Sequence, residues 1–213
     1  MLNYILNLLF PENCLVCGKK GEKLCLSCIN NFPFSERKCF KWIFPIYDYR
    51  FIYIKKAIHS FKYKGNKDLA KTFAKATYEK FLEEISIRRN MENFFIPILI
   101  PIPLSKKRFF ERGYNQAELL ARELARYSNG FLKVESDLLK RRTRKTHQAQ
   151  TKNRFSRFEN IKDVFWVKNP RKIENRNIIL IDDVVTTGAT LHEAKRVLEY
   201  SGAKKVIAFT IAH

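Results

Sequence analysis

The feature that most limits the possible folds of this chain is an apolar run that ends in two acids. Residues 178–181 read Ile-Ile-Leu-Ile, Asp182 and Asp183 follow, and a loop of small and hydroxylic residues begins at Thr186. A short, continuous apolar run of this kind indicates a strand buried on both faces, as in parallel sheets. Ligands of such sheets bind beyond the carboxyl ends of the strands, which is where the two acids and the loop would lie.

Segments of strand and helix character alternate along the rest of the chain. Apolar residues at helical spacing predict helices at 66–89, 115–127 and 190–200. Extended patterns predict strands at 46–54, 94–103, 164–167, 177–183 and 205–212. The alternation predicts an α/β fold with a parallel sheet and flanking helices. We place a boundary near Pro45, which leaves a small module at residues 1–45 and a sheet domain at residues 46–213.

The loop that follows the acids has the composition of a phosphate site. Backbone N–H groups at a helix start, together with threonine hydroxyls, can surround an anion. Gly188 would let the backbone approach the anion closely. Asp182 and Asp183 could accept hydrogen bonds from ribose hydroxyls, directly or through a hydrated Mg²⁺ ion. The alternative is an ordinary strand–turn–helix with surface acids, which accounts less well for the whole pattern.

All five cysteines fall within the first 39 residues. Four of them form two C-x2-C pairs: Cys14 with Cys17, and Cys25 with Cys28. Such a spacer lets both thiolates of a pair face one ion, and two pairs complete a tetrahedral zinc site. A closed site of four thiolates leaves no position for water, so we expect the zinc to be structural. The alternative is a set of unrelated buried or redox thiols. Cys39 is expected to be spare.

The chain is strongly basic, with 41 Lys and Arg against 21 Asp and Glu and a net charge of +20. Such a surface attracts nucleic acid, phosphorylated ligands or anionic lipid, and composition does not choose among them. No apolar run is long enough to cross a bilayer. Residues 1–10 lack the basic start and the cleavage site of a signal peptide. We therefore expect a cytoplasmic protein.

The stretch from residue 178 to residue 190 resembles the phosphoribosyl diphosphate (PRPP) signature of type I phosphoribosyltransferases. The resemblance implies that the loop holds a 5′-phosphate, and that Asp182 and Asp183 are the catalytic acids, which take the ribose hydroxyls with Mg²⁺. The segment 101–106 matches the family's pyrophosphate-binding turn. The implied ligand-binding residues for PRPP or ribose-5-phosphate are Asp182, Asp183, Thr186, Thr187, Gly188, Ala189, Thr190, Ser105 and Lys106.

Two further segments, 108–120 and 145–154, narrow the resemblance. Together with the cysteine pairs they are similar to the ComF family of competence proteins, which join a zinc finger to a phosphoribosyltransferase domain. Tyr114 stands where that family often has Phe. The resemblance implies a role in natural transformation, with single-stranded DNA as a partner. It also implies a location at the cytoplasmic side of the inner membrane, beside DNA-uptake proteins.

Residues 140–157 contain eight Lys or Arg and no acid. Their cations could close over a bound diphosphate, follow the phosphates of single-stranded DNA, or form a solvated loop. Phe109, Phe110 and Tyr114, beside other cations, would extend a DNA-binding strip by stacking on bases. The residues expected to contact nucleic acid or pyrophosphate are Arg108, Arg112, Arg141, Arg142, Arg144, Lys145, Lys152 and Arg154.

Two other functions stay open from the sequence alone. One is a conventional phosphoribosyltransferase, which transfers ribose-5-phosphate from PRPP to a base or an amine by displacing pyrophosphate. The other is a structural adaptor that has lost ligand binding, and the intact loop after Asp183 argues against it. The sequence shows no recognisable acceptor pocket, which disfavours the enzyme. The segment from Lys62 to Asn66 could help to close the site over its ligand.

Overall fold

The computed structural model describes residues 12–36, 40–142 and 163–213. The helices and strands are numbered in chain order. They are α1 (Leu26–Ile29), β1 (Ile43–Tyr47), α2 (Ile52–Tyr63), α3 (Leu69–Glu92), β2 (Ile98–Pro101), α4 (Lys106–Arg112), α5 (Gln116–Tyr127), β3 (Lys133–Val134), β4 (Leu139–Arg141), β5 (Phe165–Val167), β6 (Asn177–Val184), α6 (Ala189–Tyr200) and β7 (Lys205–Ala212).

The main sheet is parallel, and its strand order is β1-β7-β6-β2-β3. The strand β6 lies at its centre, where Ile178 is opposite Ile98 of β2 and Val206 of β7. Successive side chains of a strand point to opposite faces. Accordingly, Ile179 belongs to the apolar core under α2, α3 and α5, whereas Ile178 and Leu180 belong to the core under α6. The expected α/β fold is confirmed.

The cysteine module shares a core with the sheet. Cys25, Ile29 and Phe32 belong to the same apolar cluster as the buried residues of α2 and α3. The ring of Phe32 lies edge-on to that of Phe51, with their centroids 4.9 Å apart. The strand β1 pairs with β7 and runs across the expected boundary near Pro45. The division into residues 1–45 and 46–213 stays a prediction.

The strand expected at 46–54 is wrong. The extended part belongs to β1 and ends at Tyr47, and the helix α2 begins at Ile52. The short alternation that suggested a strand is outweighed by apolar residues at helical spacing, which pack against the sheet. These buried residues of α2 are Ile54, Ala57, Ile58 and Phe61.

Two other expected strands differ in extent or in partner. The strand expected at 94–103 is limited to β2, and the residues on either side of it have no regular secondary structure. The strand expected at 164–167 is present as β5, but it pairs antiparallel with β4 in a separate two-stranded sheet. This β4–β5 ribbon packs on the α6 side of the main sheet.

The longest helix is α3, which has 24 residues and is amphipathic. Its buried residues Phe73, Phe81 and Ile85 face the core, and charged residues occupy its other side. Over the ranges that the structure describes, no helix is both long enough and apolar enough to span a bilayer.

Candidate metal centre and ligand site

The four paired cysteines come together as the spacing predicts. Their sulfur atoms all lie within 4.8 Å of one another, and Sγ of Cys17 is 3.7 Å from Sγ of Cys25. A tetrahedron with Zn–S bonds of about 2.3 Å has edges of about 3.8 Å. The cluster of Cys14, Cys17, Cys25 and Cys28 therefore fits a zinc ion closely.

Local backbone geometry favours the charged form of one ligand. Burial of Cys14 disfavours its thiolate, but backbone N–H groups of Cys17, Cys25 and Val16 outweigh burial and lower the pKa of Cys14 to about 6. The N–H of Cys25, for example, donates to Sγ of Cys14 over 3.5 Å. At Cys28 the opposite holds, because a hydrogen bond with the Cys25 side chain and burial raise the pKa of Cys28 to about 12. Because zinc binds thiolates, the ion would have to displace the proton of Cys28.

The acid pair lies at the carboxyl end of β6, beside the end of β2. Asp182 and Asp183 are among the last residues of β6, and Pro101 of β2 is opposite Ile181. The backbone N–H of Ile102 donates to the carbonyl of Ile181 over 2.9 Å. The two turns that the sequence assigns to phosphate and pyrophosphate therefore leave neighbouring strands at one edge of the sheet, as the topology of ligand sites in parallel sheets requires.

Asp183 is paired with two cations of the chain. Nζ of Lys62 lies 2.7 Å from Oδ1 of Asp183, and Nη1 of Arg112 lies 3.9 Å from Oδ2. The three side chains are largely buried, with exposed fractions of 17% for Lys62, 5% for Arg112 and 9% for Asp183. A buried ion pair is screened less than a surface pair, and loss of one partner leaves the other uncompensated.

Asp182 has a different electrostatic environment. Burial and the negative charge of Asp183 raise the pKa of Asp182 to about 7, against the opposing effect of Lys62, the backbone N–H of Asp183 and Arg108. Burial and the charge of Arg108 lower the pKa of Arg141, and Asp182 opposes this. Electrostatic interactions therefore link three charged residues from three different elements: Arg108, Arg141 and Asp182.

The loop from Thr186 to Thr190 ends at the amino terminus of α6. Gly188 has φ +77°, and a Cβ atom there would lie 3.2 Å from Cε2 of Phe40. Oγ1 of Thr187 accepts a hydrogen bond from the N–H of Ala189 over 3.4 Å. The remaining N–H groups at a helix start and the positive end of the helix dipole attract an anion. The loop can therefore receive a phosphate group.

The ring of Phe40 lies beside Gly188 of this loop. It lies edge-on to the ring of His192, with centroids 4.2 Å apart, and the ring of Trp42 is also edge-on to His192, with centroids 4.9 Å apart. Burial and the charge of Lys195 lower the pKa of His192. Aromatic rings therefore surround His192 beside Gly188.

The segment from Arg112 to Gln116 fixes the end of α2 against the site. The hydroxyl of Tyr114 and the side-chain amide of Gln116 both donate to the carbonyl of Phe61, the amide over 3.3 Å. Arg112 donates to the hydroxyl of Tyr63 over 3.3 Å and lies 5.1 Å above its ring. The residues on both sides of Lys62 are thus tied to this segment.

The remaining residues predicted to bind a ligand lie on two elements. Ser105 caps α4, where its hydroxyl accepts a hydrogen bond from the N–H of Arg108 over 3.3 Å, and Lys106 is exposed beside it. Arg141 and Arg142 end the described part of the β4–β5 ribbon, and the Arg141 guanidinium lies 5.5 Å above the ring of Phe165. Four predicted contact residues lie outside the described residues: Arg144, Lys145, Lys152 and Arg154.

Two members of the expected DNA-binding strip do not face solvent. Tyr114 is only 7% exposed because its hydroxyl points to the carbonyl of Phe61. Arg112 is buried against Asp183 and Tyr63, and its Nε has no hydrogen-bond partner among the described residues. Tyr114 is therefore a structural residue, and Arg112 belongs to the ligand site.

The Mg²⁺ ion that the resemblance implies does not fit the acid pair as it stands. Both carboxylate oxygens of Asp183 face cations of the chain, and Oδ1 of Asp182 accepts the N–H of Asp183 over 2.8 Å. Arg108 and Arg141 add positive charge beside Asp182. Because Mg²⁺ requires oxygen ligands in a nearly octahedral arrangement, these surroundings disfavour it.

The sequence revealed some of these site residues only indirectly. Lys62 lies in the segment that we expected to close the site, but its pairing with Asp183 was not foreseen. Phe40 was not anticipated at all. Neither contact has a local signal, because each joins residues far apart along the chain.

Comparison with known proteins supports both parts of the structure. The chain matches the model of the double zinc ribbon domain at residues 5–46 and that of the phosphoribosyl transferase domain at residues 111–213. Competence protein ComFC of Streptococcus pneumoniae is 32% identical over 205 residues, which are 94% of this chain and 80% of that protein. This chain belongs to the ComF family. Its sheet domain has the type I phosphoribosyltransferase fold, and its cysteine cluster is a structural zinc site.

Other members of the ComF family are longer than this chain. Competence protein ComFC of Bacillus subtilis is 35% identical over 159 residues, which are 74% of this chain and 59% of that protein. DNA utilization protein YhgH of Escherichia coli O6:H1 is 30% identical over 149 residues, which are 70% of this chain and 62% of that protein. The match therefore spans about three fifths of the length of these two relatives.

Proposed function

We propose that this chain is a ComF-like protein of natural transformation that binds a phosphoribosyl diphosphate ligand and single-stranded DNA in the cytoplasm. DNA-uptake proteins at the inner membrane are its proposed partners. The observation that carries the proposal is the acid pair and threonine loop, which lie at one sheet edge among the cations Lys62, Arg108, Arg112 and Arg141.

The ligand half of the proposal rests on charge and shape. The loop offers N–H groups at the start of α6 for a phosphate. Lys62 and Arg112 pair with Asp183, and Arg108 and Arg141 interact electrostatically with Asp182, so the site has more cations than acids and can attract a second, diphosphate group. The acids suit ribose hydroxyls, because carboxylate oxygens only accept hydrogen bonds. PRPP joins these three groups in one molecule.

The DNA half rests on exposed aromatic and basic residues beside the site. On α4, the side chains of Phe109 and Phe110 are 50% and 85% exposed, next to Lys106 and Lys107. On the β4–β5 ribbon, Trp166 is 40% exposed. Exposed rings can stack on bases, and cations attract phosphates. The names of the relatives, which refer to competence and DNA utilization, point the same way.

Fluorescence anisotropy of a labelled single-stranded oligonucleotide tests both halves. The oligonucleotide is titrated with the full chain over a series of salt concentrations, with and without PRPP. We expect tight binding at low salt that weakens steeply as salt rises. We also expect PRPP to change the affinity for DNA, because the two sites share α4 and β4. Absence of DNA binding at moderate salt would contradict the DNA half.

Four substitutions locate the DNA path. In the first variant, Arg144, Lys145, Lys152 and Arg154 are all changed to Gln, and the slope of log K against log salt should become shallower by about 3. The matched control removes four charges from α3, at Lys71, Lys75, Lys80 and Arg89. An equal loss of slope in both variants would indicate nonspecific attraction. Steady turnover of PRPP with a base or an amine would instead identify a phosphoribosyltransferase enzyme.

A further inference from the structure

Lys62 pairs with Asp183, one of the two acids that the sequence led us to expect beside a metal ion. Its Nζ is 2.7 Å from Oδ1 of Asp183, so the two groups form a close ion pair. Its exposed fraction is 17%, so the side chain is largely withdrawn from solvent. On the other oxygen of the same carboxylate, Arg112 lies 3.9 Å away. The carboxylate is therefore neutralised by the protein itself.

The place of this ammonium group is fixed by the fold. The carbonyl of Phe61, one residue earlier, accepts hydrogen bonds from Tyr114 and Gln116. Tyr63, one residue later, is held by the guanidinium of Arg112. These contacts anchor the chain on both sides of Lys62, so that its side chain starts from a fixed point close to Asp183.

Cations of the protein already balance the charge of Asp183 without a divalent ion. Lys62 and Arg112 face the carboxylate of Asp183 from its two oxygens. A Mg²⁺ ion at Asp183 would have to displace Lys62. An ammonium group has three N–H donors. Lys62 can therefore donate hydrogen bonds to oxygens of a ligand while it stays beside Asp183.

We propose that Lys62 replaces a divalent metal ion at Asp183, so that the phosphoribosyl ligand binds to this chain without Mg²⁺. The proposal rests on the proposed function, since it concerns the same site. Lys62 would neutralise Asp183 and donate hydrogen bonds to the ribose or to the diphosphate. The affinity for PRPP would then depend on Lys62 and not on added metal.

Isothermal titration calorimetry with PRPP and the full chain tests this directly. Buffers are freed of metal by a chelating resin, so that no soluble chelator reaches the structural zinc, and Mg²⁺ is then added back to half of the samples. For the wild-type chain we expect the two dissociation constants to agree within about threefold. For Lys62→Met we expect PRPP binding to weaken about tenfold or more without metal, because the cation beside Asp183 is lost and the largely buried carboxylate loses its closest partner. Added Mg²⁺ should restore most of the affinity.

The control is Lys55→Met. Lys55 is exposed and lies seven residues earlier on α2, so its loss changes the net charge equally without touching Asp183. Lys55→Met should behave like the wild type in both buffers. In Lys62→Met, PRPP binding should become dependent on Mg²⁺. A merely structural role of Lys62 would not produce this change.

A second variant keeps the test informative if unpaired Asp183 prevents folding of Lys62→Met. The double variant Lys62→Met/Asp183→Asn removes both charges, and thermal unfolding checks that it is folded. It should bind PRPP weakly without metal and should gain little from Mg²⁺, because the carboxylate is absent. Binding as tight as that of the wild-type chain would overturn the proposal.

The remaining outcomes separate this inference from the proposed function. If the wild-type chain binds PRPP only with Mg²⁺, the ligand assignment stands and the role of Lys62 is wrong. If Lys62→Met binds as the wild type does in both buffers, the role of Lys62 is also wrong. If the wild-type chain binds PRPP in neither buffer, both the proposed ligand and the role of Lys62 fall.

Discussion

The cysteine cluster and the acid pair were both expected to bind a metal ion, but they achieve charge balance in different ways. At the cysteine cluster, four sulfur atoms lie at the spacing of a zinc tetrahedron. Such a cluster is complete only when an ion neutralises its thiolates. At the acid pair, Lys62 and Arg112 already neutralise Asp183.

The difference follows from how far apart along the chain the partners lie. The cysteine ligands come from residues 14–28, so few other side chains can enter the cluster. The acid pair lies at a sheet edge, where α2, α4 and β4 also end. A site built from several distant elements can recruit the chain's own cations. A metal site predicted from one short segment is therefore more secure than one predicted at a place where several distant elements meet.

The largest expected effect is that of Cys25→Ser. Cys25 is buried, ligates through a sulfur 3.7 Å from that of Cys17, and belongs to the core shared with α2 and α3. Loss of zinc should therefore lower the free energy of unfolding by about 3 kcal/mol or more. Elemental analysis of the purified protein and chemical denaturation would measure both effects.

Cys39→Ser is the control for this change. We expect Cys39 to be spare, so its variant should retain one zinc ion per chain and unfold like the wild type. If Cys25→Ser lost its zinc but kept its stability, the fold around the cysteine cluster would not depend on an ion. The contrast with the acid pair would then disappear.

A smaller effect is expected for Asp182→Asn, which tests the part of the acid pair that is not neutralised. The folded protein raises the pKa of Asp182 from 3.8 to about 7, so the folded state binds more protons than the unfolded state between these values. Stability is therefore lost as pH rises through this window, and the loss is complete above it. We expect Asp182→Asn to be more stable than the wild type by about 1–2 kcal/mol at pH 8 and by about half as much at pH 5.5.

Urea denaturation at the two pH values would measure this difference. Asp68→Asn is the matched control, because Asp68 is exposed. Its effect on stability should be small and the same at both pH values. If Asp182→Asn were less stable than the wild type at pH 8, Asp182 would be as well neutralised as Asp183, and the two acids would not differ.

The features that could be predicted from the sequence are those set by neighbouring residues. The C-x2-C pairs were sufficient for the zinc site, because all four ligands lie in one short segment. The apolar run before Asp182 was sufficient for a central parallel strand and for the position of the loop. The helix α5 and the strand β7 also lie where periodicity predicts them.

The features that the sequence did not reveal depend on contacts between distant segments. The pairing of Lys62 with Asp183 and the support of Gly188 by Phe40 have no local signature. Tyr114 looked like a stacking residue because an aromatic beside cations is typical of nucleic-acid surfaces. Only the structure shows that the hydroxyl of Tyr114 donates a hydrogen bond to the carbonyl of Phe61.

The smallest expected effect is that of Tyr114→Phe, which tests whether the acid pair depends on this distant clamp. The ring should keep its place 6.1 Å from that of Phe61, and Gln116 still donates to the carbonyl of Phe61. Loss of one hydrogen bond should lower the free energy of unfolding by about 1 kcal/mol. The affinity for PRPP should fall about twofold to threefold, because Lys62 is then less firmly held. Phe has nearly the same shape as Tyr, so the fold should accept it.

Chemical denaturation and calorimetry with PRPP would measure the two effects. Tyr200→Phe is the control, because Tyr200 is 91% exposed and its hydroxyl faces solvent. If Tyr114→Phe lowered stability but left PRPP binding unchanged, the clamp would support the fold without positioning Lys62. If it changed neither, the end of α2 would be held by packing alone. The hydrogen bond from Tyr114 would then not contribute to the position of Lys62 at the acid pair.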